Sequence, residues 1–299
     1  VTDFASGWAG RCLAHPRAAT AVPQLQAALQ AAGVVTSSTV QEWAPDLVVV
    51  DLQSATPLTA AAQTVLARWP TAAEEGCDIV AVPSAARGPI LLVSDVDSTL
   101  IAEEVIEELA QAAGKRAQVA ALTEAAMRGE LDFATSLTAR VSTLAGLPTS
   151  TLTAVAASLT PRPFAAQLAA MVHAYGGQIG AVSGGFSEVL APLAAQLGLD
   201  LTAANTLGSQ AGHLTGTTVG PVIDRAAKAA LLRDWSARSG LRDTVAVGDG
   251  ANDLDMFAAA ELSIALCGKP AARAAADVVL TLPHLGAVAA AIWRHPQWV

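Results

Sequence analysis

The chain has 299 residues, 53% of them hydrophobic and 14% charged, with a net charge of −9. It is long enough for one large domain with attachments or for two domains, and too apolar to stay disordered. An acidic balance with no Lys/Arg cluster speaks against nucleic acid as a partner, since such binding rests on neutralising phosphates, and no run of about 18 apolar residues offers a membrane span.

In chain order, residues 1–88 come first. "PQLQAALQAAG" and "LTAAAQTVLARW" have helical spacing, while "EWAPDLVVVDL" and "DIVAVPS" read as strands. A small α+β module is expected, with no evident first strand. The opening residues lack a basic start followed by an apolar run, so no secretory signal is read and a cytoplasmic setting is expected. Cys12, Cys77 and Cys267 form no C-x-x-C pair, which argues against a disulfide framework and a zinc site.

From residue 89, "ILLV" (90–93), "IGAV" (179–182), "TVAV" (244–247), "LSIAL" (262–266) and "DVVL" (277–280) alternate with Ala/Leu-rich segments of helical spacing. The pattern predicts an α/β fold, a doubly wound and mostly parallel sheet whose strand ends share one edge. The first two strands lie too far apart for a single crossover helix, so a helical cap is expected at about 103–160. Its pieces end at Gly114, Gly129 and Gly146, each suited to a helix C′ position. "TPRPF" (160–164) then breaks the helical spacing and returns the chain to the sheet. "LGSQAGHLTG" (207–216) reads as a hairpin with His213 exposed.

The chemistry starts at "PILLVSDVDSTL" (89–100), where Asp95 and Asp97 follow an apolar strand at a spacing of two. One aspartate there is an ordinary turn former or helix cap. Two in one crevice repel each other unless a cation intervenes or one holds a proton, which suggests a ligand. D-x-D-S-T after a strand resembles the first signature of the haloacid-dehalogenase-like phosphohydrolases. Ser183 in "VSGGF", Lys228 in "DRAAKAALL" and "GDGANDLDM" (248–256) follow in the same order. Each alone reads as a cap, a turn or a solvated helix residue; the ordered set carries the resemblance.

The resemblance implies Asp95 as nucleophile, forming an aspartyl-phosphate, and Asp97 as general acid and base. Ser183 and the Gly184 N–H would hold phosphoryl oxygens, and Lys228 would neutralise phosphate and intermediate. Mg²⁺ would be held by Asp95, the Asp97 backbone carbonyl and Asp249, with Asp253 orienting from behind.

Phe133, Leu137 and Arg140 are spaced i, i+4, i+7, which puts an aromatic ring and a guanidinium on one helix face. Here "MRGELDF" and "DSTLIAEEVIEELA" resemble segments of the phosphoserine phosphatases. That similarity implies Glu104 on the substrate ammonium, with Glu103 the adjacent alternative, and Arg140 on its carboxylate. It also implies Met127 and Phe133 closing over the site, and Asn252 positioning phosphate.

The implied activity is hydrolysis of O-phospho-L-serine to L-serine and phosphate, the last step of serine biosynthesis. A phosphotransferase to a hydroxyl such as that of homoserine shares these motifs, and a non-enzymatic amino-acid-responsive regulator is a further alternative. The filled catalytic positions count against the regulator. Phosphoserine phosphatases of similar length often carry an N-terminal ferredoxin-like or ACT-like domain, which in other proteins binds amino acids and mediates pairing; by domain order alone, serine sensing and a homodimer are the expectations for residues 1–88.

Overall fold

The computed structural model describes residues 8–14, 21–72, 77–81, 87–127 and 133–293. Gly129 and the loop around it lie outside the described residues. The N-terminal part runs β1 (Trp8–Ala14), α1 (Ala21–Ala31), β2 (Ser37–Ala44), β3 (Leu47–Ser54), α2 (Ala60–Ala72) and β4 (Cys77–Ala81). The strands form an antiparallel sheet in the order β2-β3-β1-β4.

One face of this sheet packs Cys12, Val50 and Leu52 against Leu25, Leu29 and Ala62 of the two helices. The other face, with Leu13, Trp43, Leu47 and Val49, joins the main core. A central strand covered on both sides loses the alternation that reveals a strand in sequence, which is why β1 reads as featureless. The stretch expected as a single strand, "EWAPDLVVVDL", is divided by a turn after Ala44 into the end of β2 and the first six residues of β3.

The second part contains β5 (Leu91–Ser94), β6 (Gln178–Phe186), β7 (Leu201–Gln210), β8 (His213–Val219), β9 (Thr244–Gly248), β10 (Leu262–Leu266) and β11 (Val278–Leu280). They form a sheet in the order β11-β10-β9-β5-β6-β7-β8, parallel except for the β7–β8 hairpin. The expected α/β, mostly parallel sheet is present. The hairpin turns at Ala211 and Gly212, both at positive φ (50° and 78°), the geometry of a tight two-residue turn. His213 is exposed.

Strands β5 and β9 are buried along their whole length because helices cover both faces. On one side lie α7 (Ala165–Ala174), α8 (Ser187–Leu197) and α12 (Leu285–Ile292), packing with Leu92, Ile179 and Val247. On the other lie α9 (Arg225–Ser239), α10 (Leu254–Ala259) and α11 (Pro270–Ala275), packing with Leu91, Val93 and Ala246.

Between β5 and α7 run α3 (Val105–Ala112), α4 (Arg116–Met127), α5 (Phe133–Ser142) and α6 (Ser150–Ser158). Gly114 follows α3 at the C′ position with φ 66°; Gly146 also has positive φ but lies four residues beyond the end of α5. Helix α6 was not expected from sequence, since "STLTAVAAS" lacks a polar face to mark its period. It packs on α8 while α5 packs on β8, so these helices rest over one edge of the sheet. Among the described residues no helix is long and apolar enough to cross a membrane.

Candidate active site

The strand order reverses beside β5, which pairs with β9 on one side and β6 on the other. That is where the carboxyl ends of a doubly wound sheet open into a crevice. Asp95 follows β5 directly, and its backbone N–H donates to Val247 O of β9 at 2.8 Å. Its Oδ1 accepts from Val96 N at 2.7 Å and lies 2.8 Å from Lys228 Nζ, while Oδ2 accepts from Asn252 Nδ2 at 3.2 Å.

Lys228 reaches the crevice from the first turn of α9, whose N-cap Asp224 accepts from Ala227 N at 2.8 Å. Its ammonium also donates to Asp253 Oδ1 at 2.7 Å. The second Asp253 oxygen accepts from the N–H groups of Asp249 and Gly250 at 3.1 and 3.0 Å. Both oxygens of Asp253 are therefore engaged, and the side chain is fully buried.

Burial sets the electrostatics of the cluster. It pushes the Asp95 carboxyl well above the usual range, Asp253 adds to the push, and Lys228 pulls the other way. Burial alone would lower Lys228, but attraction to Asp95 and Asp253, with a hydrogen bond to each, carries it above the ordinary lysine range. The lysine is thus held as a cation among carboxylates. Oxygens of Asp95, Asp249 and Asp253 lie within 4.8 Å of one another, a cluster able to hold a metal ion. An all-oxygen donor set with no His or Cys suits a hard divalent cation.

Asp97 faces a different set of groups. Its Oδ1 accepts from Val105 N at the start of α3 (2.7 Å), and its Oδ2 accepts from Ser183 Oγ (2.9 Å). The Ser183 hydroxyl in turn accepts from Gly185 N at 2.7 Å. A Cβ on Gly185 would stand 2.9 Å from Ser183 Oγ and 3.0 Å from Asp97 Oδ2, so this close approach requires glycine. Ser98 holds a left-handed φ of 57°, with its carbonyl accepting from Arg162 Nη2 at 2.8 Å. The loop after β5 is thereby tied to the segment that returns to α7.

The residues predicted over the crevice are partly brought together. Glu104 Oε1 accepts from Ser98 Oγ at 2.8 Å, and burial followed by repulsion from Asp97 raises its carboxyl. Glu103 instead accepts from Thr160 N (3.2 and 3.3 Å), which leaves Glu104 as the crevice-facing member of the pair. Arg140 donates from Nε to Ser136 O at 3.3 Å; burial lowers it, and Glu104 and Asp97 are the carboxylates that act against that. Among the described residues Arg140 makes no ion pair with a carboxylate. The Phe133 ring lies over Gly184, 3.3 Å from where a Cβ would sit. Met127 ends α4, and its side chain is outside the described part of the structure.

Lys269 was not singled out from sequence. Its backbone N–H donates to Asp249 O at 2.7 Å, and its Nζ lies 3.0 Å from Asp249 Oδ2 and 3.9 Å from Glu104 Oε1. The signal available was positional: it follows the end of β10, on the same sheet edge.

Fold and site together define a doubly wound α/β domain with an acidic, lysine-bridged centre at the carboxyl edge of its sheet. The profile of haloacid dehalogenase-like hydrolases matches residues 92–258, and a second profile of that description matches 225–292. The phosphoserine phosphatase SerB2 of Mycobacterium tuberculosis is 51% identical over 221 residues, 73% of this chain and 54% of that protein. The phosphoserine phosphatase of Streptococcus thermophilus is 46% identical over 197 residues, 65% of this chain and 92% of that protein. A solved structure of a probable phosphoserine phosphatase from Vibrio cholerae superposes with a TM-score of 0.77 at 32% identity, covering 95% of this chain and 86% of that one. The chain belongs to the haloacid dehalogenase-like hydrolase family. It spans about half the length of the M. tuberculosis relative.

Proposed function

We propose that this protein is a Mg²⁺-dependent phosphatase hydrolysing O-phospho-L-serine to L-serine and phosphate, as in the last step of serine biosynthesis. The observation that carries the reading is that a carboxylate, Glu104, and a guanidinium, Arg140, each lie near enough to Asp97 to feel its charge, while Asp97 in turn acts on Asp95 of the Asp95–Lys228 pair. A zwitterionic head group needs one anion and one forked cation, and these two supply them. The relatives that carry the phosphoserine phosphatase name support the same choice.

An oxygen of Asp95 attacks phosphorus as the serine oxygen leaves with a proton from Asp97. Water then attacks the aspartyl-phosphate and gives its proton to Asp97, which regenerates both carboxyls. The Ser183 hydroxyl, 2.9 Å from Asp97, and the Gly184 N–H hold phosphoryl oxygens, and Lys228 offsets their charge. Asn252, already on Asp95 Oδ2, limits where phosphate sits. The Phe133 ring over Gly184 excludes water from the phosphoryl end of the site.

Asp95, Asp249 and the Asp97 carbonyl would hold Mg²⁺, which would supply Lewis-acid neutralisation of the phosphoryl oxygens. Asp253, whose oxygens hold Lys228 and the Asp249 and Gly250 amides, is read as orienting those groups from behind. Residues 1–88 are read as a ferredoxin-like module from their β-α-β-β-α-β order, and 89–299 as the catalytic part, capped at about 103–160. A homodimer joined through that module, a cytoplasmic setting and the absence of nucleic-acid or membrane partners complete the proposal.

The test is phosphate release from a panel of phosphorylated amino acids with and without Mg²⁺. Preference for phosphoserine and dependence on the ion are expected, and indifference to the amino-acid head group would overturn the reading. Adding homoserine separates hydrolysis from transfer, since a phosphotransferase would yield phosphohomoserine in place of free phosphate.

A further inference from the structure

Ladder pairing between β6 and β7 is interrupted: Val182 faces Ala203 and Phe186 faces Asn205, so Ser183, Gly184 and Gly185 stand against Ala204 alone. Backbone groups at such a bulge lose their partners in the ladder, and buried carbonyls left bare are costly. The side chain of Asn205, 1% exposed, replaces what the ladder lacks. Its Nδ2 donates to Gly184 O at 2.8 Å and to Gly185 O at 3.3 Å.

The other end of the same amide reaches a second element. Oδ1 accepts from Ile223 N at 2.9 Å, one residue before Asp224, the N-cap of α9. Lys228 N in turn donates to Asp224 O at 3.0 Å. A single amide therefore joins the Ser183–Gly185 loop to the start of the helix that delivers Lys228. The peptide between Gly184 and Gly185 is fixed at both ends, its carbonyl by Asn205 and its N–H by Ser183 Oγ. Only a side chain with two donor hydrogens and an acceptor can do this. An aspartate would set an oxygen against two carbonyls, and an alanine would take this partner from two carbonyls and an amide, one of them in a buried hydrogen bond and two in part-buried ones.

We infer that Asn205 is a positioning residue for phosphoryl transfer, holding the bulged Ser183–Gly185 loop in register with Lys228. The inference rests on the crevice being a phosphoryl site, but not on phosphoserine being the substrate. Its effect belongs to the phosphate end of the site and leaves the Glu104–Arg140 end alone.

The experiment uses the full chain with p-nitrophenyl phosphate as substrate and inorganic phosphate as competing ligand. Asn205→Asp and Asn205→Ala are compared with Leu193→Ala, a buried change in α8 at a residue that makes none of the loop's hydrogen bonds. Both Asn205 variants are expected to weaken phosphate inhibition about tenfold and to lower kcat, with serine inhibition of phosphoserine turnover unchanged. Leu193→Ala is expected to lower the unfolding midpoint without altering phosphate inhibition. Asn205→Ser, which keeps one small donor, takes an intermediate value and replaces either variant that fails to fold.

If Asn205 variants lose phosphate inhibition no more than Leu193→Ala of equal or lower stability, the inference is overturned. A wild-type chain that is not inhibited by phosphate at all removes the phosphoryl site itself, and the inference with it. Turnover of p-nitrophenyl phosphate without preference for phosphoserine counts against the proposed substrate only.

Discussion

Lys228 Nζ stands 2.8 Å from Asp95 Oδ1, with the two side chains only 1% and 3% exposed. The pair answers the question posed by two aspartates at one strand end: the cation arrives from α9, more than a hundred residues later in the chain. Lys228→Met removes it and leaves Asp95 and Asp253 buried without compensation. Activity is expected to fall at least about a hundredfold, and stability at neutral pH by about 3–5 kcal/mol.

The sign of the pH effect follows from burial. Asp95 is raised in the folded protein, so folding favours its protonated form, and stability is lost as pH rises through the raised value. Without Lys228, which opposes that rise, the loss grows larger. Urea midpoints measured in chelator should therefore recover on acidification more in Lys228→Met than in wild type. Parallel pH profiles would count against the pairing.

Asp95→Asn tests the nucleophile. The change is nearly isosteric and keeps an acceptor for Val96 N and Lys228 Nζ. Turnover should vanish while the far-ultraviolet dichroism stays that of wild type. Substantial residual phosphate release would remove Asp95 from its proposed role.

Arg140→Ala tests the carboxylate end of the substrate. Loss of charge-assisted hydrogen bonds should lower kcat/KM for phosphoserine by about 10–100-fold and leave p-nitrophenyl phosphate nearly unaffected. Equal losses on both substrates would mean that Arg140 supports the fold of α5 instead.

Glu104 predicts a pH signature. Burial and then Asp97 raise its carboxyl above the ordinary range, and only its ionised form attracts an ammonium. On acidification KM for phosphoserine should therefore begin to rise at a higher pH than an ordinary carboxylate would give. KM for p-nitrophenyl phosphate, which has no ammonium, should not follow it. A common profile would argue against Glu104 contacting the substrate amine.

The centre of the second part of the chain was legible because its strands are buried nearly throughout and the first three of them end in acidic or glycine-bearing loops. β5, β6, β9 and β10 each appear as short apolar runs, and Asp95, Ser183, Lys228 and Asp249 follow from motif order. What sequence did not mark are the residues that act through other residues. Asn205 lies inside an unremarkable strand, Lys269 is marked only by following the end of β10, and the break at 160–164 announces the return to the sheet without marking Arg162 as the residue that ties the loop after β5. In the N-terminal part, β2 is exposed over most of its length and β1 is buried on both faces around a charged residue, so neither shows a period of two.

That charged residue carries the last prediction. Arg11 is fully buried; its Nε and Nη2 form a fork on Asp51 at 2.6 and 2.9 Å, and its Nη1 donates to Ala290 O and Trp293 O, both at 2.7 Å. Those carbonyls belong to the C-terminal end of α12, where unpaired acceptors and the negative end of the helix dipole favour a cation. Arg11 thus joins β1 and β3 to the helix that covers the larger sheet, beside Asp78, which accepts from Thr281 N and Leu282 N. Arg11→Met leaves Asp51 and two carbonyls without their donor and should destabilise this contact by about 3–5 kcal/mol. Arg11→Lys, a point charge without the fork, should fall between. Hydrogen exchange is expected to quicken in β1, β3 and α12 while β5 and β9 keep their protection. Uniform loss across both sheets would show that the two parts unfold as one unit and that Arg11 does not act as a local fastening.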